Sequence, residues 1–174
     1  MKTPDVVGVF AQSLREESLH LSTFLQFPDP NVVEALARTP LQSFVLDMQH
    51  GMFDEAAVVG AVAAAALEAK PVLVRVPVDT AGLASRVLDF GAAGVICPMV
   101  NTRQDAERLV SYTKFPPVGA RSWGPRRALP VSGLSAPDYL RRANELIVVF
   151  AMIETREALL RWDSPGGVMN APAD

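Results

Sequence analysis

Four polar residues lie where apolar segments of the 174-residue chain end, and their side chains could together act on an anionic ligand. Asp47, Arg75 and Glu154 each end or interrupt a run of apolar residues, and His50 follows three positions after Asp47. A charged group is costly to bury unless it meets an opposite charge or a ligand. Carboxylates can hold a hard cation, a guanidinium can bind an oxyanion, and an imidazole can move a proton.

Each of these residues also has a structural interpretation. Asp47 could cap a turn, and His50 beside Gly51 could be a loop histidine that makes one backbone hydrogen bond. Arg75 must find an anion, which could be a protein carboxylate or the carboxylate of a ligand. Because acids, a base and a guanidinium all fall at predicted strand ends, we favour a functional site over four unrelated structural roles.

Short β-type runs alternate with helical segments, and this alternation predicts an α/β protein with a parallel sheet. Asp54 and Thr102 are expected to cap helices, and Gly91 is expected to end one. The predicted strands are residues 21–25, 43–47, 71–76, 94–97 and 145–153, and 167–169 is the candidate for a sixth. The predicted helices are residues 32–37, 54–69, 80–90, 102–112 and 157–162.

Apolar strands separated by helices fit two folds, a doubly wound open sheet and a (β/α)₈ barrel. No glycine-rich phosphate-binding motif follows the first strand, which argues against a dinucleotide-binding domain. In both folds, chemistry is expected at the carboxyl ends of the strands. The long segment 114–136 is rich in proline, glycine and arginine and is predicted to be a functional loop. Its Arg121 could be solvated or could belong to an anion site.

The composition limits the classes of protein to which this chain can belong. Hydrophobic residues make up 49% of the chain, charged residues make up 20%, and the net charge is −3. These values are typical of one globular domain over residues 1–174 and argue against nucleic acid as a partner. The apolar block 56–67 is too short to span a membrane, and the single cysteine, Cys97, is expected to be a buried small side chain. We therefore expect a cytoplasmic protein with no membrane partner.

Five motifs, in one order along residues 21–155, resemble those of the HpcH/HpaI aldolase family. These proteins are metal-dependent, class II pyruvate aldolases related to the β subunit of citrate lyase. Several motifs in one order are far more specific than any single motif. The segment 44–51 resembles VDxEHG, 74–77 resembles VRVP, 86–98 resembles xxLDxGAxGVxxP, 112–128 resembles YPPxGxRgxgpxRA, and 152–155 resembles xIET.

This resemblance implies a (β/α)₈ TIM barrel, of which the chain holds about the first six βα units. It also implies a divalent metal, Mg²⁺, Mn²⁺ or Co²⁺, bound by Glu154 and by Asp174. Asp174 ends a segment that resembles the GPxD motif of the family. The other residues of that segment, Ala171, Pro172 and Ala173, are expected to lie beside the substrate.

The resemblance further implies a role for each polar residue. Arg75 is expected to bind the keto or enolate oxygen of pyruvate, and His50 is expected to act as a general base through a water molecule. Asp89 is expected to orient the His50 ring, and Asp47 to support the same network. The implied reaction cleaves a 4-hydroxy-2-oxo acid to pyruvate and an aldehyde through a metal-bound enolate, without a Schiff-base lysine. The resemblance also implies a homo-oligomer.

The sequence departs from the family pattern at three places. Gln49 replaces a glutamate, Ala171 replaces a glycine, and the connection from Glu154 to Asp174 is shorter than usual. The last two βα units of a complete barrel are also not part of this sequence. Two alternatives therefore stay open. One is a non-catalytic relative that acts as a binding or assembly partner, and the other is a CoA-ester lyase similar to the citrate lyase β subunit.

Overall fold

The computed structural model describes residues 5–16 and 19–161, which fold around a five-stranded parallel sheet. The strands are β1 (Ser22–Leu25), β2 (Ser43–Asp47), β3 (Val72–Arg75), β4 (Gly94–Cys97) and β5 (Val148–Ala151). The five predicted strands are therefore confirmed, although β5 is shorter than the predicted 145–153. The candidate sixth strand at 167–169 lies outside the described residues.

The order of the strands decides between the two predicted folds. A doubly wound sheet reverses its winding at a switch point, so its consecutive strands are not all neighbours. Here each strand pairs in parallel with the next one along the chain, in the order β1-β2-β3-β4-β5. This is the winding of a (β/α)₈ barrel, and the described residues contain five of its βα units.

Helices follow the strands and return the chain from one edge of the sheet to the other. The loops after the strands gather at the edge where the strands end, which we call the carboxyl edge, and the opposite edge is the amino edge. The helix α1 packs against α6 and α7. The helices of the described residues are α1 (Val6–Glu16), α2 (Pro30–Ala37), α3 (Glu55–Leu67), α4 (Ala81–Asp89), α5 (Arg103–Thr113), α6 (Ala128–Ser132), α7 (Ala136–Leu146) and α8 (Arg156–Arg161).

The residues predicted to cap or end helices lie at helix ends in the structure. The Asp54 side chain accepts a hydrogen bond from the backbone N–H of Ala57 at 2.8 Å, and α3 begins there. Thr102 and Asp105 form a reciprocal capping box at the start of α5. After α4, Gly91 has a φ of +103°, which side chains other than glycine rarely adopt.

The segment between α5 and β5 differs from the prediction. Instead of a continuous loop over 114–136, it contains α6 and the start of α7. The Ser135 side chain accepts a hydrogen bond from the backbone N–H of Asp138 and so begins α7. This helix then continues to Leu146, into the predicted strand, because its apolar residues recur at helical rather than alternating spacing. The buried residues of α7 are Tyr139, Ala143 and Leu146.

Aliphatic side chains from both sides of the sheet form the core that holds the site in place. The strand β2 is buried along its whole length. Cys97 also lies in the core, in agreement with the prediction, and burial raises the pKa of its thiol to about 12. Within residues 5–16 and 19–161, no helix is long and apolar enough to cross a membrane.

Candidate active site

Asp47 and Arg75 form a two-point ion pair at the carboxyl edge. They are register partners on the neighbouring strands β2 and β3, so their side chains leave the same face of the sheet. The Arg75 Nε donates to Asp47 Oδ1 at 2.9 Å, and Nη2 donates to Oδ2 at 2.6 Å. The Asp47 side chain is 0% exposed and that of Arg75 is 15% exposed. Such a bidentate pair fixes the guanidinium plane far better than a single contact.

Asp47 also organises the loop that follows β2. Its Oδ1 accepts hydrogen bonds from the backbone N–H groups of Gln49 at 3.1 Å and His50 at 3.2 Å. Burial by itself would raise the pKa of this carboxyl. The hydrogen bonds from Arg75, His50 and Gln49, together with the Arg75 charge, outweigh that effect and lower the pKa of Asp47 below its usual value.

We expect Asp47 to make the folded chain sensitive to acid. Its folded pKa lies below the unfolded value of about 3.9, so its contribution is complete above that pH and is lost as the pH falls toward the folded pKa. The free energy of unfolding should therefore fall more steeply below about pH 4 in the wild type than in the Asp47→Asn variant. Urea unfolding over a pH series measures this difference. Equal slopes in the two proteins would contradict the assignment.

The Arg75 guanidinium has a second neighbour in addition to Asp47. Its Cζ lies 4.8 Å from the centre of the Phe24 ring. The hydrogen bond from Asp47, and then the charges of Asp47 and Glu154, raise the pKa of Arg75 against the opposing effect of burial. Glu154 therefore lies within electrostatic reach of the guanidinium. Within the described residues, Nη1 of Arg75 has no hydrogen-bond partner, so this donor is available for a ligand.

Glu154 lies just beyond β5, at the same edge. Its Oε2 accepts a hydrogen bond from the backbone N–H of Met99 at 2.9 Å, and Met99 has a φ of +58°. This contact orients one carboxylate oxygen, and within the described residues no group donates to Oε1. An exposed carboxylate with one oriented oxygen and one open oxygen has the donor chemistry that a hard divalent cation requires.

The metal site cannot be assembled from the described residues alone. No group of three or more His, Cys, Asp or Glu side chains within them could hold a metal ion. The predicted second ligand, Asp174, lies outside the described residues, as do the predicted substrate contacts Ala171, Pro172 and Ala173. The predicted metal ligands and these substrate contacts therefore remain predictions.

His50 lies on the loop between β2 and α3, with its side chain exposed at the carboxyl edge. Its position is determined by its backbone N–H, which binds Asp47, and by the next residue, Gly51. A side chain at Gly51 would overlap the carbonyl oxygen of Asp47 and come within 3.0 Å of the backbone of Gln26. The loop is also hydrogen-bonded to the end of β1, from Met52 N to Gln26 O at 2.8 Å.

Asp89 does not lie at the carboxyl edge with His50. It is the last residue of α4, and the chain then reaches Ala93, whose backbone N–H bonds to Val72 at the start of β3. Asp89 therefore lies at the amino edge, whereas His50 lies at the carboxyl edge. Within one copy of the chain the structure does not bring Asp89 to His50, and its Oδ1 instead accepts a hydrogen bond from Arg121 Nη2 at 2.6 Å.

The arginine-rich segment 114–136 also lies at the amino edge. Arg121 is fully buried, paired with Asp89 and stacked on the Phe115 ring at 4.6 Å, so within this chain it is a structural rather than a solvated cation. Lys114 donates to the carbonyl oxygens of Asn144 and Ile147, just before β5 begins. Burial, and then the charges of Arg121 and Arg15, lower the pKa of Lys114 to about 8.

Two neighbours of the site were not predicted from the sequence. Phe24 carried no sequence signal of its own, because strand alternation assigns it to the face of Asp47 and Arg75 only once the register is known. Met99 carried none either, because it acts through its backbone N–H. Gln49, which replaces a family glutamate, contributes its backbone N–H to Asp47, and its side-chain Oε1 is buried without a hydrogen-bond partner.

Comparisons with known proteins agree with these motifs. The family model described as HpcH/HpaI aldolase/citrate lyase matches residues 21–164. A hydroxypyruvate/pyruvate aldolase of Rhizorhabdus wittichii is 41% identical, over 88% of this chain and 62% of that protein. A 4-hydroxy-2-oxovalerate aldolase of Novosphingobium aromaticivorans is 32% identical, over 100% of this chain and 68% of that protein. The chain thus spans somewhat less than two thirds of the first of these relatives.

A solved structure shares the fold. The crystal structure of an HpcH/HpaI aldolase from Desulfitobacterium hafniense DCB-2 matches with a TM-score of 0.80 and 26% identity, over 88% of this chain and 60% of that one. The motifs at the carboxyl edge, the order of the strands and the family match lead to one conclusion. The chain belongs to the HpcH/HpaI aldolase/citrate lyase family.

Proposed function

We propose that this chain carries the active site of a divalent-metal-dependent pyruvate aldolase, which cleaves a 4-hydroxy-2-oxo acid to pyruvate and an aldehyde. One observation carries the proposal. The Arg75 guanidinium is held at two points by Asp47, within electrostatic reach of Glu154, and keeps one nitrogen available for a ligand. A fixed cation that shares the carboxyl edge with an open carboxylate suits an enolate-forming reaction, because a donor oriented before reaction stabilises the charge that develops.

The carboxylates are proposed to hold the metal. Glu154 and Asp174 would be its ligands, which leaves further coordination positions for water and substrate. When bound, the ion supplies Lewis-acid polarisation of the keto group of the substrate. The Met99 N–H bond keeps the Glu154 carboxylate at the carboxyl edge, where it faces the end of β4.

Arg75 is proposed to bind the keto oxygen of the substrate and to stabilise the negative charge that develops there. In the cleavage direction, the C4 hydroxyl loses its proton and C4 becomes the aldehyde carbonyl carbon. The C3–C4 bond breaks, and its electron pair forms the enolate of pyruvate. Protonation of C3 then gives the methyl group of pyruvate. A guanidinium that is oriented before reaction stabilises this charge without reorganisation at the moment of bond breaking.

His50 is proposed to remove and return the proton through a water molecule. Its ring is exposed at the carboxyl edge, while its backbone is tied to Asp47. The Asp47 carboxylate therefore positions both the proposed base, His50, and the proposed oxyanion donor, Arg75. Asp47 contacts neither the proton nor the substrate in this proposal. It acts through His50 and Arg75.

The names of the relatives support pyruvate or a similar 2-oxo acid as the compound that supplies the enolate. The relative in Rhizorhabdus wittichii is named for hydroxypyruvate and pyruvate, and the relative in Novosphingobium aromaticivorans for 4-hydroxy-2-oxovalerate. Both names describe a three-carbon 2-oxo acid or its aldol product. We therefore propose that pyruvate or hydroxypyruvate supplies the enolate.

Exchange of the pyruvate methyl protons for deuterium tests this proposal, because it needs the enolate but no aldehyde. We expect exchange, followed by ¹H NMR, with Mg²⁺, Mn²⁺ or Co²⁺ and none after chelation. The Glu154→Gln variant should lose it by about 100-fold or more, because the neutral amide is a weak ligand for a hard cation. The matched control is Glu157→Gln, which changes an exposed carboxylate paired with Arg161. Absence of exchange from a folded wild-type sample with all three metals would overturn the proposal.

A further inference from the structure

Phe24, on the edge strand β1, stacks on the guanidinium that the proposed mechanism uses. The ring centre is 4.8 Å from Arg75 Cζ, within the range of a favourable cation–π contact. Phe24 is 49% exposed on β1, which pairs with β2 alone within the described residues. Phe24 is not part of the buried core, and its ring instead covers the cation that the proposed mechanism uses.

The register of the sheet shows why these residues meet. Phe24 pairs with Val45 on β2, and Asp47 pairs with Arg75 on β3. Because side chains alternate along each strand, Phe24 shares one face of the sheet with Asp47 and Arg75. The long Arg75 side chain crosses β2 on that face to reach β1.

Asp47 and Phe24 restrain the guanidinium in different ways. The two hydrogen bonds from Arg75 to Asp47 hold one edge of the planar group. The group can still tilt about that edge, and the Phe24 ring covers one of its faces and opposes the tilt. Nη1 is then the guanidinium nitrogen that makes no hydrogen bond within the described residues.

We propose that Phe24 is a positioning residue for Arg75, whose ring fixes the tilt of the guanidinium toward the developing oxyanion. The inference rests on the proposed function for its effect on the reaction. It has a second consequence that does not depend on the reaction. Without the ring, the Arg75 Nε–H should exchange with water faster, because the pair with Asp47 can open more often.

The test compares Phe24→Leu with Phe24→Trp, which keeps an aromatic face. The matched control is Phe27→Leu, which removes an aromatic ring that is 64% exposed on the same segment and stacks on no arginine in the described residues. The first readout is metal-dependent deuterium exchange into pyruvate, resolved into kcat and KM. The second readout is the solvent exchange rate of the Arg75 Nε–H by NMR, assigned by its loss in Arg75→Lys.

We expect Phe24→Leu to lower kcat about tenfold with little change in KM, because the contact matters most when charge develops. The Arg75 Nε–H should exchange severalfold faster in that variant. Phe24→Trp should restore both values, and Phe27→Leu should resemble the wild type. If Phe24→Leu matches the wild type in both readouts, the inference is overturned. If the wild type shows no deuterium exchange into pyruvate, the proposed function fails instead, and the Nε–H rates alone decide whether Phe24 restrains Arg75.

Discussion

Replacement of Arg75 by alanine is expected to reduce metal-dependent deuterium exchange into pyruvate by about 10²–10³-fold, the loss typical of one oxyanion donor. The negative charge that forms on the keto oxygen would lose its fixed guanidinium partner. Water molecules could take the place of the guanidinium, but they would have to reorient as the charge forms. The Arg75→Lys variant should recover little, because an ammonium cannot match the two-point contact with Asp47. The rates are measured by ¹H NMR at saturating pyruvate and metal.

The same substitution should also destabilise the fold, because it leaves the Asp47 carboxylate buried without its cation. Removal of one partner of a buried pair costs roughly 3–5 kcal/mol. The double variant Arg75→Ala/Asp47→Asn should recover much of that free energy of unfolding, since no charge remains buried. It should not recover the exchange activity. This difference separates the loss of a catalytic group from a loss of folded protein.

A matched control for Arg75 lies on α4. Arg86 also pairs with a carboxylate, that of Glu55, and also stacks on a ring, that of Phe90 at 5.6 Å. Its side chain is mostly exposed, and its ion pair and ring contact involve none of Asp47, His50, Arg75 and Glu154. Arg86→Ala should therefore leave the exchange rate unchanged and cost at most about 1 kcal/mol. An equal loss of activity in both variants would show that Arg75 has no special role.

Replacement of Gly51 by alanine is expected to disrupt the site without touching a polar group. The added methyl would overlap the Asp47 carbonyl oxygen and crowd the Gln26 backbone, and neither is a flexible side chain that could move aside. The loop must therefore shift, which should lower the free energy of unfolding by about 2–4 kcal/mol. Because His50 and its bond to Asp47 are in this loop, we also expect the exchange activity to be lost.

Gly60 offers the matched control for this prediction. It lies within α3, where an added methyl meets nothing within 4 Å. Gly60→Ala should stabilise the chain by about 0.5–1 kcal/mol, because alanine is the better helix former. Urea unfolding monitored by circular dichroism measures both variants. If Gly51→Ala is as stable and as active as the wild type, the backbone of Asp47 and Gln26 does not pack tightly against Gly51.

Much of the fold could be predicted because its signals are local. The apolar runs that form β2, β3 and β4 consist of consecutive residues, so they can be recognised directly in the sequence. The caps at Asp54 and Thr102 act on backbone groups within three positions. The helices α6 and α7 were missed for the opposite reason. Proline and glycine nearby indicated a loop, whereas packing against α1 favours helices there.

The same distinction between local signals and long-range packing applies to the candidate site. Asp47, His50, Arg75 and Glu154 could be placed at the carboxyl edge from the sequence, because parallel strands end at one edge of a sheet. Their partners could not, because those depend on register and on helix direction. The register joined Asp47 to Arg75 and brought Phe24 to the same face. The direction of α4 carried Asp89 to the amino edge and to Arg121.

The sequence by itself therefore determined the α/β class of the chain, its family and the edge at which its polar residues gather. These follow from short-range patterns and from motifs in a fixed order. Only the tertiary structure decided how the guanidinium of Arg75 is held, between a buried carboxylate on β2 and an aromatic ring on β1. The physical reason is that a charged side chain takes its partner from whatever the folded sheet brings within a few ångströms, regardless of separation along the chain.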